Sequence, residues 1–146
     1  MHWSYNWAWG VPLIVLTVIG HSLALFAARH RIIIALARYY SGESFSLAFA
    51  FTIGVAVLYI TILIAVEATL WAGVYVLIGA LSDISRGMLY SLEAMTTFGH
   101  ADVYLAPRWQ FLGALEALNG VILLGLSTAY IFSVLHSAEV RNAKTD

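Results

Sequence analysis

The chain has 146 residues, of which 62% are hydrophobic and only 10% are charged. A soluble domain carries about 25% charged residues, and a chain this short has too much surface to bury so many apolar side chains in one soluble core. The net charge of -1, without a basic tract, gives no sign of a nucleic-acid partner. The absence of cysteine excludes disulfides and thiol chemistry. The composition therefore predicts an integral membrane protein.

Three apolar stretches are long enough to cross a bilayer, which takes roughly 20 residues of helix. They run from about Trp9 to Ala28, from Phe45 to about Trp71, and from Trp109 to Leu135. The first ten residues are rich in Trp and Tyr and lack the basic region of a cleavable signal peptide. We expect them to anchor the first span at the membrane interface, and we expect that span to be retained.

The basic residues predict the orientation of the three spans. Two arginines, Arg86 and Arg108, fall on one side of such a topology, and five basic residues fall on the other: Arg29, Arg31, Arg38, Arg141 and Lys144. Because cytoplasmic loops are enriched in Lys and Arg, this split places the C-terminus inside and the N-terminus outside the plasma (cell inner) membrane. A belt of tryptophans would then mark the outer boundary, at positions 3, 7, 9, 71 and 109.

The segment between the second and third spans does not fit a simple bundle. Asp83 is a candidate N-cap for a helix over Ile84–Met95, which is too short to cross the membrane. An irregular stretch follows, and Pro107 then opens the third span. Irregular backbone at membrane depth is tolerated only where it lines water or is buried in protein. This layout predicts a re-entrant loop preceded by a short pore helix.

The residues of this segment resemble the pore loop of potassium channels. Residues 96–102 read T-T-F-G-H-A-D, which is similar to the family's filter sequence T-T-V-G-Y-G-D. Residues 90–95, Y-S-L-E-A-M, resemble the W-S-V-E-T-A of simple two-span prokaryotic members, residues 102–104 resemble their D-L-Y, and Trp109 lies near their tryptophan after the filter. The similarity extends over about residues 45–136 and is sharpest over 90–109.

The resemblance implies a fold and a set of sites. The fold is an all-α membrane protein with three transmembrane helices, a re-entrant pore helix and a filter loop, assembled as a homotetramer. Residues 1–30 are an added N-terminal span, 31–44 a cytoplasmic basic interfacial linker, 45–136 the channel pore domain, and 137–146 a cytoplasmic tail.

The resemblance also implies roles for individual residues. Backbone carbonyls at the filter replace the water shell of the cation. Potassium or another monovalent cation would bind at Thr97, Phe98 and Gly99. The complete implied set is the filter Thr97, Phe98, Gly99, His100 and Ala101, its support Thr96, Glu93 and Asp102, and the possible gating hinges Gly120 and Gly125.

Two filter positions depart from the family pattern, and they leave alternatives open. Ala101 replaces a glycine and His100 replaces a tyrosine, which predicts altered selectivity and sensitivity to external pH. A weakly selective monovalent cation channel is therefore one alternative, and a non-conducting membrane scaffold or accessory subunit is another. No enzyme motif occurs in the sequence. The expected partners are monovalent cations, the lipid bilayer and other copies of the chain, with no cofactor beyond bound ions.

Four ionisable residues lie within or at the ends of the predicted spans. Intramembrane carboxylates are candidates for function by default. For Glu67 and Glu116 the sequence favours structural roles, Glu67 with a backbone group or a neighbouring subunit and Glu116 near the pore helix. For His21 and His136 it favours packed or interfacial side chains over a haem or metal site, since their spacing is not that of ligands.

Overall fold

The computed structural model describes residues 3–39, 45–99 and 102–142, and these residues are almost entirely helical. The elements in chain order are α1 (Trp3–Tyr39), α2 (Phe45–Leu77), α3 (Ile84–Met95), a 3-10 turn (Pro107–Trp109) and α4 (Gln110–Asn142). No strand occurs in the described part of the chain. The prediction of an all-α protein is confirmed. In hydrocarbon a helix satisfies all of its own backbone groups, which is why these apolar runs are helical.

Three of the helices are long and apolar enough to cross a membrane. The candidate spans are Trp3–Arg29, Phe49–Leu77 and Pro107–Ser137, with 27, 29 and 31 residues. At about 1.5 Å per residue each exceeds the ~30 Å hydrocarbon layer. The three predicted spans are thus confirmed as a multi-pass arrangement.

The first helix continues past the end of its membrane span. We placed the end of that span near Ala28 and a linker after it; the candidate span ends at Arg29, and α1 itself continues to Tyr39. The reason is local, because residues 29–39 contain no glycine or proline and are rich in residues that favour helix. The remainder of the predicted linker, residues 40–44, lies outside the described residues.

The packing of the helices fixes their directions. The N-terminal ends of α1 and α4 meet, because the ring of Trp3 stacks on Phe111 with 4.8 Å between centroids and Trp7 lies 5.4 Å from the same ring. Helices α1 and α4 therefore run parallel. Helix α2 runs the other way, and α3 packs against both α2 and α4.

The outer surface of the subunit is apolar. Helix α2 exposes large hydrophobic side chains along its length, including Leu47, Phe51, Leu58, Ile62 and Leu70. The interior is also mainly hydrophobic, and it contains in addition polar groups such as the fully buried Glu116 and Asn119. A soluble protein covers its surface mostly with polar and charged side chains rather than with so many large hydrophobic ones. This arrangement matches a chain whose solvent is lipid.

Candidate functional site

The short helix α3 begins at a well-formed N-cap. The Asp83 carboxylate accepts hydrogen bonds from the backbone N–H of Arg86, at 2.9 Å, and from the Ser82 hydroxyl, at 2.8 Å. The Arg86 backbone bond, followed by the Ser82 bond, lowers the pKa of Asp83. An N-cap of this kind satisfies a backbone donor that the helix cannot. Both the cap and the helix bounds Ile84–Met95 agree with the sequence prediction.

Glycines bring α3 into close contact with the two neighbouring spans. On the α2 side, a Cβ added at Gly87 would lie 3.1 Å from the backbone oxygen of Ala72. On the α4 side, a Cβ at Gly113 would overlap the Tyr90 hydroxyl. A Cβ at Gly120 would lie 2.7 Å from the carbonyl carbon of Met95 and closer still to its oxygen. Helix α3 is therefore packed closely between α2 and α4, and at Gly120 the backbone of Met95 leaves no room for a Cβ.

The C-terminal end of α3 is closed by backbone hydrogen bonds that lead directly into the loop. The N–H of Thr97 donates to Ala94 O at 3.1 Å, and the N–H of Phe98 donates to Glu93 O at 3.1 Å. This pair of bonds is a Schellman motif, in which the residue after the cap adopts left-handed backbone angles. That residue is usually glycine. Here it is Thr97, with φ 55°.

The loop after α3 is strained and exposed. Left-handed angles cost a residue with a Cβ roughly 1–2 kcal/mol, and they are rare for a β-branched one. Gly99 also has a positive φ, 94°, so left-handed residues flank Phe98. Within a single subunit Thr96, Thr97, Phe98 and Gly99 are all exposed, Phe98 by 79%. Strained backbone of this kind tends to persist at functional sites, where the surroundings hold it in place.

The predicted filter continues beyond the part of the chain that can be described. His100 and Ala101 lie outside the described residues, so their predicted roles stay predictions. The chain returns through residues 102–106, where Val103 and Leu105 are buried in the core and Tyr104 is 67% exposed. Two buried side chains, Val103 and Leu105, therefore hold this return segment against the helices.

The two carboxylates predicted to support the filter lie on either side of it. Glu93 is half-buried in the last turn of α3, and Asp102 is exposed at the start of the return segment. Their role as support residues of the filter stays a prediction. Thr96, the other predicted support residue, donates its hydroxyl to Leu92 O at 2.6 Å.

A buried aromatic cluster joins α3 to the spans behind the loop. Tyr75 of α2 donates its hydroxyl to Glu116 Oε2 of α4 at 2.6 Å, and its ring meets Tyr90 of α3 edge-on at 5.3 Å. Burial raises the pKa of Tyr90 above its ordinary value. Glu116 is fully buried. The sequence placed Glu116 near the pore helix, and the structure identifies Tyr75 as its partner.

The N-terminal span is joined to α4 by polar contacts that the sequence analysis did not predict. The Asn6 amide donates to Arg108 O at 2.9 Å and accepts from Leu112 N at 3.0 Å, so it bridges backbone groups at the start of α4. Next to Gly120, the Asn119 amide donates to the Thr17 hydroxyl at 2.9 Å. These side chains recur on one face of α1, which is the signal that could have revealed the contact.

A third polar contact connects all three spans. His21 of α1 places Nδ1 3.0 Å and 3.2 Å from the two carboxylate oxygens of Glu67 in α2. Its other ring nitrogen, Nε2, lies 2.9 Å from the Ser127 hydroxyl of α4. All three residues are buried. The partner of Glu67 is thus a side chain of the same subunit rather than the backbone group or neighbouring subunit that we expected. Each residue interrupts an apolar run, but nothing in the sequence pairs them.

The two predicted hinge glycines differ in their surroundings. Gly120 contacts the backbone of Met95, whereas Gly125 has open space where a Cβ would lie. Helix α4 is continuous through both positions. Their role as hinges stays a prediction. Among the described residues, no group of three or more His, Cys, Asp or Glu side chains could hold a metal ion.

Comparisons with protein-family models, with curated proteins and with solved structures each found no match to this chain. The function of this chain is therefore inferred from its own sequence and geometry.

Proposed function

We propose that this chain is the subunit of a homotetrameric channel that conducts potassium passively. The observation that carries the proposal is the capped helix α3, too short to span a membrane, which is wedged between two spans and ends in the strained, exposed loop Thr96–Gly99. The loop has the sequence T-T-F-G, followed by His100, Ala101 and Asp102. Irregular backbone at this position needs a water-filled or protein-lined setting.

Four copies of the loop around one axis would supply that setting. Each subunit leaves Thr97, Phe98 and Gly99 exposed, and a single chain of this size cannot enclose a pore. In the proposed assembly their carbonyl oxygens face the axis and take the place of a cation's hydration shell. Thr97 and Gly99 both have positive φ, so the loop backbone between them is neither helical nor a regular extended segment.

The setting of α3 favours the same function. The C-terminal end of a helix carries partial negative charge, which stabilises a cation nearby. The glycine contacts at Gly113 and Gly120 and the Tyr75–Glu116 bond give α3 a rigid support on two sides. A rigid support is what a loop with strained backbone needs if its carbonyls are to keep their positions.

The proposed location is the plasma membrane, with the N-terminus and the pore loop outside and the C-terminus in the cytoplasm. The ring contacts of Trp3 and Trp7 with Phe111 bring the start of α1 to the end of the bundle where α4 begins. Aromatic side chains of this kind are typical of a membrane interface. Arg29 and Arg31 lie at the other end, as the positive-inside rule requires.

A weakly selective cation channel is the second candidate. It is favoured by Ala101 and His100, which replace a glycine and a tyrosine of the resembled filter. Reversal potentials in opposing potassium and sodium gradients separate the two candidates. A potassium channel gives a reversal potential that follows the potassium gradient, and a weakly selective one gives a value near zero. Replacing His100 with Tyr and finding an unchanged response to external pH would refute the predicted pH sensitivity.

The absence of cysteine permits a direct test of the pore. In T97C, a tetramer places four thiols around the axis, and silver ions that enter the pore should abolish the current through reconstituted protein. The matched control is T69C, because Thr69 is also exposed but belongs to α2 and not to the loop, and its hydroxyl donates to Ala65 O of the same helix. Silver should leave T69C and the unaltered chain conducting.

Three results would contradict the proposal. One is equal block of T97C and T69C, and another is a native mass other than four subunits. The third is a folded tetramer that shows no flux of any monovalent cation, which would favour the non-conducting scaffold.

A further inference from the structure

The cluster formed by His21, Glu67 and Ser127 has no part in the proposed filter. It lies well inside all three candidate spans and joins α1, α2 and α4 at one level. His21 is fully buried, and Glu67 and Ser127 are 3% and 4% exposed. Ionisable side chains at such depth are costly and need a partner. The cost of burying His21 and Glu67 depends on how many protons the two side chains bind.

The possible protonation states differ in net charge. A neutral histidine beside an ionised carboxylate leaves one uncompensated negative charge in a low-dielectric interior. Adding one proton gives either an imidazolium–carboxylate pair or a neutral histidine beside a carboxylic acid, and both have zero net charge. Isolated buried charge is far more costly than a paired or neutral group. The cluster is therefore stable with that one additional proton.

The hydrogen bonds fit this proton count. With a proton on Nδ1 or on the carboxyl group, the 3.0 Å contact between His21 and Glu67 is a hydrogen bond in either net-neutral state. Ser127 accepts from the Nε2–H in both states, because a neutral ring that accepts the carboxyl proton at Nδ1 carries its own hydrogen on Nε2. All polar atoms of the ring are thus satisfied whichever residue holds the proton.

We propose that His21 and Glu67 bind one proton between them and form a net-neutral clasp that fastens the N-terminal span to the pore unit. The clasp sits on the same face of α1 as Thr17, whose hydroxyl bonds Asn119 of α4. Asn119 precedes Gly120, which contacts the end of α3. His21 is therefore a positioning residue for α4 and, through it, for the loop. This last consequence rests on the proposed channel function, whereas the proton-sharing clasp does not.

Other titratable side chains near this layer do not compete for the proton. On the cytoplasmic side of the clasp, Tyr59 of α2 donates its hydroxyl to Ala24 O at 3.1 Å, and Tyr130 of α4 is buried beside Leu25. On the outer side, Glu116 is engaged by Tyr75. Among the described residues, the Glu67 carboxylate is the one acidic side chain that forms an ion pair with His21.

The test is a cycle of three variants, H21Q, E67Q and the double variant H21Q/E67Q, made in the full chain and melted in detergent. H21Q leaves a buried carboxylate without its proton partner, and we expect its melting temperature to fall by about 10 °C. E67Q leaves a neutral histidine and should melt within a few degrees of the unaltered chain. The double variant removes the lone carboxylate and should recover most of the loss. A clasp that is merely a packing contact predicts additive losses instead.

The pH dependence gives a readout that packing alone would not change. In H21Q the buried carboxyl must take up a proton on folding, so the folded state binds more protons than the unfolded state and stability rises as pH falls from about 8 to 5. The unaltered chain should gain stability as pH falls from about 8 to 6.5 and then level off, because its folded pair keeps a proton that the unfolded histidine releases above about pH 6.5. E67Q should instead lose stability below about pH 6.5, because its buried neutral histidine gains a proton only on unfolding. The double variant has neither group and should melt at nearly constant temperature. A flat profile for H21Q, or a loss in E67Q as large as that in H21Q, would overturn the proposal.

Spectroscopy keeps the proposal testable even where H21Q fails to fold. Proton–nitrogen-15 correlation spectra of protein with labelled histidine should contain one ring whose Nδ1-bound proton resonates far downfield. This signal should disappear in E67Q. Absence of such a signal in the unaltered chain would refute the shared proton. Ion flux separates this proposal from the channel proposal. If the three variants melt as expected but the protein conducts no ions, the clasp is supported and the channel proposal is refuted. If the protein conducts ions but the losses of the variants are additive, the channel proposal stands and the clasp is refuted.

Discussion

Replacing Gly120 with Ala tests whether α4 holds the end of α3 in place. The added Cβ would lie 2.7 Å from the Met95 carbonyl carbon and closer to the oxygen, where ordinary van der Waals contact begins at 3.4 Å. Met95 is 1% exposed, and the atoms in the way are backbone rather than the end of a flexible side chain. Helix α3 must therefore move by about 1 Å, and Thr96 and Thr97 follow it directly.

The magnitude follows from two opposing effects. Alanine is favoured over glycine in a helix interior by about 1 kcal/mol. Overpacking of a well-packed contact costs about 1–3 kcal/mol. Gly125→Ala is the matched control, because it lies in the same helix with no atom within 4 Å of the added Cβ. We expect G125A to be as stable as the unaltered chain or more so, and G120A to be less stable than G125A by about 1–3 kcal/mol.

The assay combines thermal melting with ion selectivity in liposomes. If the strain reaches the filter, a change of about 1–3 kcal/mol in the preference for potassium alters the permeability ratio roughly 5- to 150-fold, since about 1.4 kcal/mol corresponds to a factor of ten. G125A should keep the normal ratio, and a hinge at Gly125 would appear as lower flux at unchanged selectivity. Equal stability and equal permeability ratios in the two variants would refute the argument that Gly120 positions the loop.

Three further predictions concern α3 and its surroundings. T97G should raise the free energy of unfolding by about 1 kcal/mol, because glycine adopts the left-handed angles without strain. T96G is its control and should lower stability, since Thr96 has right-handed angles. Y75F leaves one oxygen of the buried Glu116 without its donor and should cost about 1–3 kcal/mol in thermal melting, and equal stability would contradict this. D83A should shorten α3 and lower the melting temperature. Because the pKa of Asp83 is lowered in the folded state, its stabilising effect is present above its ordinary value of 3.8 and is lost as pH falls through the lower folded value. The unaltered chain should therefore lose its stability advantage over D83A in acid.

The sequence was most informative where a local signal was sufficient. The bounds of α3 and its cap at Asp83 were predicted correctly, because an N-cap residue, the following helix-favouring run and the end at Thr96 all lie within 14 residues of one another. The end of the first span near Ala28 agrees with the candidate span, which ends at Arg29. The helix itself continues to Tyr39, because charge ends a span without ending a helix.

The contacts between spans could not be predicted in the same way. His21 and Glu67 are separated by 46 residues, and Thr17 and Asn119 by 102. The sequence shows each of these side chains as a polar residue within an apolar helix. It does not show which polar residue of one helix contacts which polar residue of another. The close approach of Gly120 to Met95 was hidden for the same reason, since glycine is common in membrane helices and only the packed structure distinguishes a contact from an open position.

Composition and hydropathy by themselves determined that this chain is an all-helical membrane protein with three spans and a short intervening helix. These properties depend on the free energy of transferring each segment from water to lipid, and that free energy is a sum of contributions from residues that are neighbours in the sequence. Only the tertiary structure showed that α1 is hydrogen-bonded to α4, that His21 contacts Glu67 in the interior, and that glycines allow α3 to pack closely against its neighbours. Those properties depend on which faces of separate helices meet, and that is settled only when the packed side chains satisfy one another's volume, charge and hydrogen bonds.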